Sequence, residues 1–284
     1  MPPCFLFCLR SLAFTSRLRC VKALFMLQAF HEVVRAMKQR WTTTEIISGK
    51  SDLSALNRMV RTIAASNLSS NDQQILEAAK IAEALATTMY TNIVKGAPFF
   101  RRLSRFDQSY FRAAREVEME HYRLLKSATG TGTPIARFYF PQRMFVDAKV
   151  TLDTLVTLEE AFVAAYIVGV RDLSNDTLKV IAARIMGVES DHRTLGRVVA
   201  QEIDPRDGGP FDTLRGLAGE EPVEPPNNNA YERTYRLRDI NDAVNALLPF
   251  IDRSAAQAAG FSLRPFQFEP FEPTLPSPFG GLDG

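Results

Sequence analysis

Cysteine is nearly missing from this 284-residue chain: Cys4, Cys8 and Cys20 are its only three, all within the first 20 residues. Everything beyond them lacks disulfides, thiol catalysis and thiolate ligation of zinc or iron. Histidine is equally scarce, with His31, His121 and His192 alone. The net charge is only +2, so the basic excess of a nucleic-acid binder is absent. Arg101, Arg102 and Arg105 crowd one short stretch and read as a solvated cluster. No run of 18 uncharged apolar residues occurs, and no stretch reads as a membrane span. Acid is absent before Glu32, so the opening segment is apolar and basic like a leader or transit segment. Arg10 interrupts its apolar run, and a translation start at Met26 or Met37 would account for the same composition. Residues 1–60 are therefore set apart as a leader-like extension, and His31 within it reads as non-functional.

What is present is helical periodicity. A first helix opens behind a Ser70 cap, with Gln73 three residues on, runs through "ILEAAKIAEALATTMYTNIVK" and stops at Gly96 before Pro98. A second covers about 105–126 and ends in the glycine-rich "SATGTGTP". A third covers about 148–170, and a fourth runs from near Ser174 to Pro205. Short links join the first to the second and the third to the fourth, which predicts two antiparallel hairpins. The link between the second and third is long enough to travel back along a helix, with "ARFYFP" as a short extended piece across the bundle. Two hairpins and one long crossover predict an all-α, ferritin-like four-helix bundle over residues 61–204.

Beyond residue 204 the composition shifts, with 11 of the 16 prolines between 205 and 278. Residues 205–284 read as a Pro- and Phe-rich extension holding one short helix, "LRDINDAVNALLPF". Its phenylalanines (Phe266, Phe268, Phe271, Phe279) suit packing on the bundle or on a second subunit, the latter giving a homo-oligomer through the tail.

The chemistry sits in a repeated spacing. Two of the three histidines stand three residues after a glutamate, Glu118 with His121 and Glu189 with His192. On a helix that spacing puts both side chains on one face. Either pair alone is common on solvated helices; two pairs, on the second and fourth of four helices, are not. A di-metal site also needs a carboxylate from each remaining helix. Glu83 stands seven residues before Tyr90, and Glu159 seven before Tyr166, so each glutamate shares a stripe with its tyrosine. Glu160 competes with Glu159, and the tyrosine register selects Glu159. Glu77, Glu116 and Glu120 read as solvated. Four carboxylates and two neutral imidazoles sum to four negative charges, which two divalent cations neutralise; oxygen-rich ligation with one imidazole each suits Fe or Mn. Tyr90 and Tyr166 would lie one layer out, as hydrogen-bond donors, redox-active phenols or packed core residues.

These motifs, "IAEALATTMY", "EVEMEHYRLL", "LEEAFVAAY" and "IMGVESDH", resemble the ferritin-like domain family of bacterial proteins and plant desiccation-related proteins, over about residues 68–203. The resemblance implies six ligands, Glu83, Glu118, His121, Glu159, Glu189 and His192, with Glu118 and Glu189 bridging two ions. It implies the fold more firmly than the activity, because members include oxidases, peroxide scavengers and storage proteins. The long Pro-rich tail does not suit a closed 24-subunit shell, and no Cys-x-x-Cys pair supplies a rubredoxin-type module. Three functions follow: a di-iron or di-manganese oxidoreductase acting on O₂ or peroxide, a metal-carrying or stress-protective bundle without catalysis, and a metal-free scaffold with a polar core.

Overall fold

The computed structural model describes residues 68–203 and 237–274. The leader-like segment, the first Pro-rich stretch after residue 203 and Phe279 lie outside them. Helix α1 spans Ser70–Gly96, α2 Arg105–Thr129, α3 Ala148–Asp172 and α4 Asp176–Glu202, with a 3-10 turn at Pro98–Arg102. Two shorter helices follow, α5 at Ile240–Ile251 and α6 at Arg253–Ala258. Two-residue strands β1 (Arg137–Phe138) and β2 (Phe266–Gln267) pair antiparallel.

Each long helix starts on a side-chain cap that satisfies N–H groups its own turns leave unpaired. The cap of α1 is Ser69, whose Oγ accepts from the Asp72 amide at 3.0 Å, one residue before the expected Ser70. The Asp72 carboxylate accepts from the amide (2.8 Å) and hydroxyl (2.5 Å) of Ser174 in the α3–α4 turn. Asp72 thus ties the two hairpins together at one end. Ser104, Asp147 and Asn175 cap the other three helices. Gly130, with φ of 72°, closes α2 in the left-handed conformation that glycine adopts without penalty.

Helices α1 and α2 pack as one hairpin and α3 and α4 as the other. The crossover between the hairpins runs from residue 130 to 147. The tail secures it. Phe138 pairs with Phe266, the Tyr139 amide donates to Phe250 O at 2.8 Å, and the Ser262 amide donates to Phe140 O at 2.9 Å. The rings of Phe140, Phe145, Phe250, Phe261 and Phe266 meet edge to face at centroid separations of 5.0–6.1 Å.

Residues 237–274 are therefore a covering layer of the bundle, and they hold two helices where the sequence shows one. Phe266, Phe268 and Phe271 are all used on the chain's own bundle: Phe268 against Tyr122 at 4.8 Å, Phe271 beneath the Arg115 guanidinium at 4.1 Å. Two acids read as solvated are in fact partly or wholly buried, and the layer covers one of them. Glu116 is buried and accepts the Thr274 amide at 2.7 Å. Glu77 is half-buried and binds Lys80, which has no exposed surface and donates to Thr129 Oγ1 at 2.8 Å. Glu120, also expected in solvent, is half-buried near Arg123.

Candidate metal centre

The four long helices each turn one carboxylate into the middle of the bundle. Glu83 comes from α1, Glu118 from α2, Glu159 from α3 and Glu189 from α4, and none is more than 2% exposed. His121 and His192 join them from one turn after Glu118 and Glu189. Two groups of donor atoms form, each with its atoms within 4.8 Å of one another: Glu83, Glu118, His121 and Glu189, then Glu118, Glu159, Glu189 and His192. Glu118 and Glu189 belong to both. His121 Nδ1 lies 3.4 Å from Glu83 Oε2, 3.6 Å from Glu118 Oε2 and 3.2 Å from Glu189 Oε1. His192 Nδ1 lies 2.6 Å from Glu118 Oε1 and 3.5 Å from Glu189 Oε2. Glu160 turns instead to Arg197, at 2.8 Å, so only one of the adjacent acids joins the cluster.

Each tyrosine shares a stripe with the glutamate on its own helix and donates its hydrogen bond to the glutamate of the opposite one. The Tyr90 hydroxyl donates to Glu159 Oε1 at 2.7 Å, and the Tyr166 hydroxyl donates to Glu83 Oε1. Seven residues along a helix is about 10 Å. Glu83 sits level with Tyr166, and Tyr90 level with Glu159, so α1 and α3 run in opposite directions. The Glu–Tyr repeat is real, but it is read across the bundle axis.

Burial and the mutual charges of carboxylates and imidazoles give the cluster its electrostatics. Burial pushes the Glu83 carboxyl well above the usual range, with the charge of Glu189 acting the same way. Glu159 is raised by burial and then by Glu118. Glu118 goes the other way: burial would raise it, but His192 and His121 hold it well below the usual range. Burial would lower both imidazoles, yet Glu83 holds His121 well above its ordinary value and Glu118 does so for His192. Tyr90 and Tyr166 are raised by burial, then by the carboxylates they face. Protons and a cation would compete for the same lone pairs of this cluster.

The donor atoms fit a metal. Both carboxylate oxygens of Glu118, both of Glu189, Glu159 Oε2 and Nδ1 of His121 and His192 are buried without a hydrogen-bond partner. Buried polar atoms are rarely left so, and here seven converge on one place. His192 Nδ1 and Glu118 Oε1 stand 2.6 Å apart and belong to the same donor group.

One further buried group went unnoticed in the sequence. Thr87 stands one turn after Glu83, and its Oγ1 is buried with no partner. Its signal was the four-residue step from Glu83, on the same helical stripe.

Among known families, residues 71–202 match the model of the ferritin-like domain. Comparison with curated proteins and with solved structures gives no match.

Proposed function

Starting from a ferritin-like domain at residues 71–202, we propose that its buried cluster is a dinuclear Fe or Mn site that reacts with O₂ or peroxide. The six ligands are Glu83, Glu118, His121, Glu159, Glu189 and His192. Glu118 and Glu189, common to both donor groups, are shared between the two ions. The observation that carries the reading is the convergence of unpartnered buried oxygens and nitrogens, one imidazole in each group. Oxygen-rich sites of this kind suit Fe and Mn over thiolate-seeking metals. A bound pair of such ions supplies reversible one-electron steps and open positions for an oxidant.

The chain's own groups do the rest. Tyr90 and Tyr166 orient Glu159 and Glu83 through their hydroxyl protons. The enclosing apolar layers, Phe111 against Tyr90 among them, keep water from the centre.

Elemental analysis after expression in Fe- or Mn-supplemented medium tests the site. About two ions per chain are expected, with loss of both in a Glu118→Ala, Glu189→Ala double variant. A wild-type ratio near zero, or full loading of the variant, defeats the reading. A loaded protein inert to O₂ and peroxide would be the metal-carrying bundle instead.

A further inference from the structure

The strap of residues 266–269 does not close fully on the bundle. It leaves a cavity of about 190 Å³ between itself and the C-terminal part of α1. The α1 wall is polar: Thr87, Thr91 and Lys95 follow at four-residue steps, with Thr88 and Asn92 beside them. Thr87 is the most deeply buried of these, 1% exposed, and its Oγ1 has no hydrogen-bond partner. Its neighbours keep capacity too. Thr88 Oγ1 donates to Ala84 O at 2.7 Å and Asn92 Nδ2 to Thr88 O at 2.8 Å, which leaves Asn92 Oδ1 to accept. Thr91 Oγ1 accepts from Arg115 Nε at 3.2 Å and keeps its own proton to donate. Phe266 and Phe268 of the strap add apolar edges.

We propose that this cavity binds a small neutral polyhydroxylated molecule, the size of a monosaccharide or an inositol. Charge, polarity and size each narrow the class. The only ionic groups in the wall, Lys95 and Glu269, stand 3.8 Å apart and offset one another. The cavity flanks the last turns of α1, where the helix dipole is negative, so an anion finds neither a spare cation nor a favourable dipole. An apolar guest would leave the Thr87 hydroxyl buried and unpaired. Hydroxyl groups suit threonines and amides because each of these both donates and accepts, and the C–H groups of a ring suit the phenylalanine edges. At roughly 15 Å³ per water, the space holds about a dozen waters or one guest of about a dozen non-hydrogen atoms. That is a hexose or an inositol. No metal ion takes part, so the inference stands apart from the oxidative reading above.

The full chain with isotope-labelled threonine methyls reports on the site by NMR. Glucose or myo-inositol is expected to shift the Thr87, Thr88 and Thr91 methyl signals saturably, and inorganic phosphate to leave them unmoved. Thr87→Val keeps the shape and removes the hydroxyl. It should weaken polyol binding about fivefold, the worth of one hydrogen bond, and raise the Tm of the ligand-free chain. Gln267→Trp narrows the cavity from the strap and should abolish the shifts at Thr87 and Thr88. No saturable shift with either polyol overturns the proposal and leaves a water-filled gap. Saturation by phosphate in place of the polyols overturns it as well. So does polyol affinity that neither variant changes, since the contact would then lie elsewhere.

Discussion

At the scale of single residues, the crossed tyrosines show how much the core invests in holding its acids. Tyr90 has no exposed surface and gives its only proton to Glu159. Tyr90→Phe removes a hydrogen bond to an ionisable group and leaves the carboxyl in place. A loss of about 1–2 kcal/mol is expected, read from urea denaturation of the metal-free protein. Lys80 makes a sharper case. Its ammonium is fully buried among Glu77, Thr129 and Thr131, and so ties α1 to the end of α2. Lys80→Met keeps the length and removes the charge. Because Glu77 is part-exposed and can rehydrate, the cost should fall at about 1–3 kcal/mol, below that of a fully buried broken pair. Circular-dichroism melts decide it.

Legibility at this scale followed sequence distance. Laying Glu189–His192 over the first copy singles out Glu118 among its neighbours, and the structure turns Glu118 inward. Glu116 was misread because the group that covers it, Thr274, lies 158 residues away. No local pattern carries that contact. The acceptors of the two tyrosines were not legible for a related reason: a seven-residue spacing reports a shared stripe and says nothing of what faces it.

At the scale of elements, Gly196 marks a close approach of α4 to α3. A Cβ placed there would meet Leu155 Cδ2 at 2.6 Å and Val156 Cγ2 at 2.8 Å. Alanine is the better helix former by about 1 kcal/mol. Overpacking against fully buried Leu155 costs about 1–3 kcal/mol, so crowding wins and Gly196→Ala should lower Tm. A rise in Tm would show that the two helices can slide apart. The four long helices were legible because their periodic stripes are long and their ends carry caps and glycine. Helix α6 and strand β2 were not. Six and two residues are too few for any period to show, and β2 exists through its pairing with β1 on the crossover.

At the scale of the whole molecule, the layer of residues 237–274 is part of the fold. It roofs an apolar crevice of the core with α5, pairs β1, and lays Phe268 and Phe271 over α2. A chain ending at residue 236 would expose Tyr122, Phe138 and Phe140, all buried now. It is expected to melt well below the full chain and to bind the dye ANS; an unchanged melt would make the layer dispensable. Metal should act in the opposite sense. An ion at a hundredfold excess over its Kd adds about 2.7 kcal/mol to the folded state. Fe or Mn should therefore raise Tm in the wild type and leave the Glu118→Ala, Glu189→Ala variant unmoved.

The two histidines hold matching places in the two donor groups but differ in setting. The His121 side chain is 11% exposed, while His192 is 3% exposed and lies edge-on to the Tyr90 ring. The two donor groups thus differ in how far solvent reaches them. If two ions are bound as proposed, the one beside His121 should exchange quickly and the one beside His192 slowly. Chelator washout of a cobalt-loaded chain is expected to run in two phases of equal amplitude, a clock built from sequence repetition and broken by what surrounds it.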